Sequence, residues 1–351
     1  MKILVTGAGG FIGGWLVEQL YLTGHRNVRA GIRRWSSGAR IGRFPVEIVL
    51  CDVLDYPQVG QALKGVDAVI HCATGSSDVI IKGTENLLNA SSHNGVKKFI
   101  HLSTIDVYGN AAGEIDEVFP VRVTGEIYGD SKIEAERICW TFAKKGLPIV
   151  VLRPSIVYGP YSKLWVTKLA ERLRSGRWGT LRQIGEGLCN LVYVQDLINA
   201  AFICLTSEKA TGQAFNISGS EVITWNEYFR RFNAALGLPP LHEIKAERAR
   251  MRSLLMLPLK STARYILDHH GEVASKLYRR FDLAKKVMQK TEDSFKTSPG
   301  PSELAVFSRQ ARYNISKARS LLGYDPGYSI DAGLEMCVRW LDHEHLWHRR
   351  K

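Results

Sequence analysis

Residues Thr6 to Gly13 read TGAGGFIG, and they restrict the fold more than any other stretch. Before them, Ile3, Leu4 and Val5 form an apolar run without polar alternation, the pattern of a strand buried on both faces in a parallel sheet. After them, Leu16, Val17, Leu20 and Tyr21 recur at helical spacing up to a stop at Gly24. Strand, glycine turn and helix together form the context of a dinucleotide-binding fingerprint. Gly7 permits the tight turn, Gly10 lets backbone approach a pyrophosphate, and Gly13 lets helix and strand pack closely. Phe11 and Ile12 open the helix, whose free N–H groups and positive dipole end suit phosphate.

The second strand, Val28 to Ile32, tests which cofactor is held. NAD-selective sites carry an acidic residue at its end, bonded to the ribose 2′-hydroxyl. Here Ile32 takes that place and Arg33, Arg34, Trp35, Ser36 and Ser37 follow. Arginine there can neutralise a 2′-phosphate, so the expected cofactor is NADP, with NAD as the alternative. Later strands are expected at Val46–Leu50, Ala68–Ile70, Lys98–Leu102 and Ile149–Leu152. Asp55 is placed to cap a helix over Pro57 to Leu63.

A second motif lies downstream. Tyr128 and Lys132 form YxxxK within a helical stretch, so both side chains share one helix face. A phenol near pKa 10 is a poor base at neutral pH. A neighbouring ammonium would lower that value and let Tyr128 exchange a proton with a substrate oxygen.

With both motifs in place, the chain resembles the extended short-chain dehydrogenase/reductase superfamily, in its NAD(P)-dependent epimerase/dehydratase branch. TGAGGFIG, GTENLLNAS, STIDVYG, YGDSK, RPSIVYGP, NLVYVQDL, GQAFNIS and YNISKARSLLGYDP all resemble stretches of that family. The likeness spans nearly the whole chain except roughly residues 242–305. It implies a Rossmann-like α/β fold, a doubly wound parallel sheet over residues 1–158 with a return segment near 188–217. A smaller, mostly helical substrate lobe is expected from 159–187 and 218–351. It further implies that Asp52 and Val53 sit beside the adenine, and that Cys72, Ala73, Thr74 and Ser103 line the cofactor. Pro154, Ile156 and Val157 would pass the nicotinamide. Thr104 would hydrogen-bond the reacting oxygen, and Lys132 the nicotinamide ribose. Asp106 and Asn190 are the further substrate-side candidates.

The family resemblance implies a nucleotide-activated sugar as the first substrate class. A hydrophobic alcohol or ketone, sterol-like or phenolic, is the alternative, and a cofactor sensor without catalysis is the third reading. Family dehydratases carry a Thr-Asp-Glu run where this chain has Thr104, Ile105 and Asp106, so elimination is disfavoured. Net reduction is slightly preferred to epimerisation.

Composition limits the rest. With 351 residues and 45% apolar content the chain reads as globular, and no apolar run is long enough to span a bilayer. A strand directly at the N-terminus leaves no room for a signal peptide, so the cytoplasm is expected. The six cysteines are scattered without metal spacing, and read as small buried hydrophobes. No metal is expected. Of the net charge of +13, eight units come from Lys245 to Lys290, with twelve Lys or Arg against four Asp or Glu. That basic insertion suits peripheral contact with an anionic membrane, or a lid gripping a diphosphate. Nucleic acid is not expected, because no reading motif accompanies the charge. The family likeness implies a homodimer.

Overall fold

Seven parallel strands make the central sheet of the computed structural model, which describes residues 1–247, 250, 251 and 298–346. In chain order they are β1 (Ile3–Thr6), β2 (Val28–Ile32), β3 (Glu47–Leu50), β4 (Ala68–His71), β5 (Lys98–Leu102), β6 (Ile149–Pro154) and β7 (Gln213–Ile217). Across the sheet they run β3-β2-β1-β4-β5-β6-β7. Ile3 is in register with both Val28 and Ala68, so β1 is flanked on each side. The chain moves from β1 out to β3 and then returns to β4. The carboxyl ends of β1 and β4 therefore bound a topological switch point, where such sheets open a crevice.

Helices cover both faces. They are α1 (Phe11–Leu22), α2 (Tyr56–Leu63), α3 (Ser77–His93), α4 (Ile127–Lys144), α5 (Val194–Thr206) and α6 (Ser316–Leu322). Leu63, Leu87, Ile138 and Phe142 from α2, α3 and α4 pack on Leu4, Val69, Phe99 and Val151 of the sheet. Those four strand residues point to one face because strand side chains alternate. Helices α1 and α5 lie against each other elsewhere in the same unit. Asp55 caps α2, its carboxylate accepting from the Gln58 amide at 3.0 Å.

The chain divides into two compact units. The first is Met1–Tyr158, Asn190–Glu221 and Ala311–Ile330. Ala311–Ile330 belongs here because the strand Ala311–Tyr313 pairs in parallel with Gly113–Ile115. Ile115, Tyr108, Val107 and Tyr313 close a small core around that pair.

The second unit is Gly159–Cys189, Val222–Gln310 and Asp331–Lys351. Its described helices are Lys168–Arg174, Trp225–Ala235, Pro301–Phe307 and most of Ile330–His343. Trp178, Trp225, Phe229 and Phe307 form its aromatic centre; the Trp225 and Phe307 rings are 4.7 Å apart. The helix at Pro301 begins inside a stretch whose Ser, Thr and Pro content suggests a loop. Glu303 accounts for it by accepting from the Gly300 amide at 2.9 Å and closing the helix start.

Most of the basic insertion lies outside the described residues. No helix among the described residues is long and apolar enough to cross a membrane. None of the six cysteines is disulfide-bonded, and five are buried.

Candidate active site

The glycine turn forms the floor of the crevice. Gly7 has φ of +66°, and a Cβ there would stand 2.8 Å from Ala73 backbone, so only glycine lets the ends of β1 and β4 meet. A Cβ on Gly13 would collide with the Gly7 carbonyl. Gly10 differs: it is exposed, and a Cβ there would meet only the Gly7 carbonyl oxygen, at 3.1 Å. Helix α1 starts on Gly10 with no side-chain cap and no acidic residue in its first turn. The first-turn amides of α1 therefore carry no side-chain cap, as a phosphate site requires. An exposed backbone surface with free donors fits a pyrophosphate. Accordingly, Gly10→Val is expected to raise the dissociation constant for NAD(P)H at least tenfold while Tm moves by only a few degrees. Calorimetric titration checks this; an unchanged constant would refute the cradle.

Ile32 is buried at the end of β2, so no acidic group stands there. Arg33, Arg34 and Trp35 are exposed, and neither arginine forms an ion pair among the described residues. The turn that carries them is pinned to the glycine loop. The Ser37 hydroxyl donates to the Arg34 carbonyl at 2.6 Å, and a Cβ on Gly9 would stand 2.8 Å from that of Ser37. Arg40, farther along, pairs with Glu18 of α1 at 2.9 Å. On the neighbouring strand end, the Asp52 carboxylate accepts from the Leu54 amide at 3.1 Å. Val53 is buried, with its side chain against Gly83 and its carbonyl accepting from the Asn86 carboxamide at 3.0 Å.

At the end of β4, His71 is fully buried. Its ring nitrogens lie 2.7 Å from the Thr6 hydroxyl and 3.0 Å from that of Thr84. Burial, helped by the nearby Lys132 charge, pushes its pKa down to about 3, so it stays neutral. Cys72 and Ala73 are half-buried and Thr74 is exposed along the same edge. Burial raises the Cys72 thiol to about 12, which excludes it as a thiolate nucleophile at neutral pH.

The end of β5 and helix α4 bring Thr104, Asp106 and Tyr128 together. The Thr104 hydroxyl donates to Asp106 Oδ2 at 3.3 Å, and both residues act on the Tyr128 phenol. Gly129 permits this: a Cβ there would stand 3.1 Å from the Asp106 carbonyl oxygen. Tyr128 is 44% exposed. Burial and then the Asp106 charge push this phenol up to about 12, against the opposing Thr104 hydrogen bond.

That corrects one expectation: Lys132 does not lower the Tyr128 pKa here. Lys132 lies one turn on, with Nζ donating to the Leu102 carbonyl at 2.6 Å. It is fully enclosed, and burial lowers its own pKa to about 8.

Beneath the site is a network that the motifs did not reveal. Glu136, one turn beyond Lys132, accepts from the Ser103 hydroxyl at 2.5 Å and from Arg153 at 2.6 and 3.0 Å. Arg153 also donates to the Tyr108 hydroxyl at 2.9 Å, and Tyr108 donates to Asn216 at 2.7 Å. The Ser103 hydroxyl thus faces inward to Glu136. The i, i+4 step puts Glu136 on the helix face of Lys132, but its burial is set by contacts across the fold.

Other anticipated residues lie nearby or elsewhere. Pro154 ends β6 opposite Ile217. Ile156 and Val157 are half-buried in the strand Ile156–Tyr158. Asn190 is buried, and its carboxamide donates to Ala311 O at 2.8 Å and accepts from the Tyr313 amide at 3.3 Å. Nothing in that geometry adds support to a substrate contact for Asn190.

Comparison with known proteins agrees with this architecture. Residues 3–218 match the model of the NAD dependent epimerase/dehydratase family. The chain is 25% identical over 330 residues to 3beta-hydroxysteroid-dehydrogenase/decarboxylase isoform 2 of Arabidopsis thaliana, covering 87% of this chain and 53% of that protein. It therefore spans about half the length of that relative. It is 30% identical over 259 residues to 2-alkyl-3-oxoalkanoate reductase of Stenotrophomonas maltophilia, covering 68% of this chain and 77% of that one. The solved structure of UDP-glucuronic acid 4-epimerase from Bacillus cereus in complex with NAD superposes with a TM-score of 0.71. The alignment covers 98% of this chain and 97% of that one at 22% identity, which establishes a common fold.

Proposed function

The chain belongs to the NAD dependent epimerase/dehydratase family, and on that premise we propose that it transfers hydride between a nicotinamide cofactor and a secondary alcohol or ketone. Bound at the glycine cradle, the cofactor would supply or accept the hydride. The protein's part is placement and proton handling. Tyr128 gives its proton to a carbonyl oxygen as an alkoxide develops, or takes one from a hydroxyl in reverse. Thr104 offers a second hydroxyl to that same oxygen. Lys132, whose ammonium donates to the Leu102 carbonyl, is the residue that would bond the ribose beside the nicotinamide. Gly10 and the start of α1 hold the pyrophosphate.

The observation that supports this reading most is the gathering of Thr104, Asp106 and Tyr128 where the end of β5 meets the first turn of α4, with the phenol neutral. A neutral phenol is the form that donates a proton, which suits it to serve as the acid when a carbonyl is reduced. A second reading, epimerisation or oxidation of a nucleotide-activated sugar, is supported by the likeness of the chain's motifs to the epimerase branch. Denaturing the purified protein and identifying released cofactor separates the two. An empty site that takes up NADPH supports reduction; tightly retained oxidised NAD supports epimerisation.

NADP is the proposed cofactor, because Arg33 and Arg34 are exposed beside a strand end that lacks an acid. Converting both to alanine is expected to weaken NADPH binding by roughly tenfold to a hundredfold, the loss of charge-assisted bonds to a phosphate, with NADH little affected. Equal losses for both cofactors would contradict it. A homodimer through α3 and α4 is also proposed, and light scattering tests it.

A further inference from the structure

We propose that His71 is a positioning residue for the cofactor cradle. Held in one neutral tautomer between Thr84 and Thr6, it fixes the end of β1 and so sets where Gly7 and Gly10 stand, a role that rests on the cradle reading above.

Proton counting assigns the tautomer. A threonine hydroxyl has one proton to give. That of Thr84 goes to the Ile80 carbonyl, one turn back in α3, at 2.5 Å. Toward His71, Thr84 can therefore only accept, so the imidazole carries its proton on Nε2, 3.0 Å away. Nδ1 is then a lone pair, and the Thr6 hydroxyl donates to it at 2.7 Å. Thr6, His71 and Thr84 are all buried, so water does not stand in for any of them. His101 is in register with His71 on β5, its ring 5.4 Å away. Neither of its nitrogens has a hydrogen-bond partner, so it does not compete for the His71 ring. Burial keeps His71 neutral throughout the neutral range, which preserves the arrangement.

Held at both nitrogens, the ring cannot turn. Thr6 is the last residue of β1 and stands in register with His71 on β4. The turn starts at the next residue. Gly7 leaves the strand at φ of +66°, pressed against the Ala73 backbone, and its carbonyl accepts from the Gly10 amide at 2.9 Å. Gly10 is the exposed residue on which α1 begins. One hydrogen-bonded path thus runs from α3 through Thr84, His71 and Thr6 into the turn, and ends at the surface that would meet a pyrophosphate. Because the three side chains are buried, they act on a ligand through that turn and not by touching it.

The test measures cofactor affinity apart from turnover, on the full chain. Thr84→Val keeps the side-chain shape and leaves the His71 Nε2 proton without an acceptor. The dissociation constant for NADPH in calorimetric titration is expected to rise about threefold to tenfold, the worth of one hydrogen bond. At saturating NADPH, kcat should stay within about twofold of wild type, because the reacting groups are untouched. Thr84→Ser keeps the hydroxyl and should restore the wild-type constant. Should Thr84→Val not fold, Thr6→Val removes the donor at the other end and carries the same expectation. A role in stability alone would lower Tm and leave the constant of the folded protein unchanged, and that result overturns the proposal. So does a fall in kcat as large as the loss of affinity. NMR of the ring nitrogens in the wild type adds a readout without any variant: His71 is expected as the Nε2-protonated tautomer alone. A proton on Nδ1, or a mixture of tautomers, overturns the proposal and leaves the cradle standing. A wild-type protein that fails to bind NADPH or NADH overturns the cradle reading and this role with it.

Discussion

Replacing Tyr128 with phenylalanine is expected to lower kcat by 10²–10⁴-fold, the usual contribution of a positioned acid or base. Removing one oxygen leaves the ring in place, so cofactor affinity and fold should be unchanged. The loss should appear in kcat rather than in KM, because the proton moves in the transition state. The pH dependence has a definite sign. With the phenol held near 12 by burial and Asp106, reduction draws on a group protonated throughout the neutral range and stays flat there. Oxidation needs the phenolate, so its rate should climb with pH, and Asp106→Asn should move that climb to lower pH. Activity in the phenylalanine variant within threefold of wild type would remove Tyr128 from the chemistry.

The second large effect concerns stability. Glu136 and Arg153 are both buried and face each other at 2.6 Å, with Ser103 and Tyr108 completing the set. Glu136→Ala strands a guanidinium without a counter-charge and is expected to cost about 3–5 kcal/mol in urea unfolding. Arg153→Met strands the carboxylate and should cost a similar amount. The double change to methionine replaces the pair with apolar volume, and should recover much of the loss. The network joins the end of β5 to α4 and β6, so the single variants should also loosen the Thr104–Tyr128 pair and lower kcat. Single variants that cost less than about 1 kcal/mol would mean that the pair is solvated and gives little.

The parts of this molecule that the sequence discloses are those set by local pattern. The Ile3–Val5 run, the glycines of the first turn and the helix α1 each depend on neighbours within a dozen residues. Their structural places agree with expectation, as do β2 and β5. The cap at Asp55 was legible for the same reason. What the sequence concealed depends on contacts across the fold. Glu136 reads as one more surface acid on a helix until α4 is laid against β6 and Arg153 arrives from seventeen residues away. The direction of the Tyr128 shift was equally hidden. YxxxK spacing puts an ammonium on the same helix face, but it does not show that Lys132 bonds the Leu102 carbonyl, or that the Asp106 charge acts on the phenol. Asn190 stood in a family-like stretch, and only the pairing of Ala311–Tyr313 shows what its amide holds. The basic insertion, read as a membrane contact or a lid, lies mostly outside the described residues.

Transfer of an isotopic label tests the central claim most directly. A single turnover with a ketone and NADPH deuterated at C4 of the nicotinamide should place the deuterium on the carbinol carbon in the wild type, from one face of the ring only. The Tyr128→Phe protein should bind NADPH with the same affinity and show almost no transfer in the same time. Deuterium that stays on the cofactor in the wild type, or moves equally fast without the phenol, would contradict hydride transfer assisted by Tyr128.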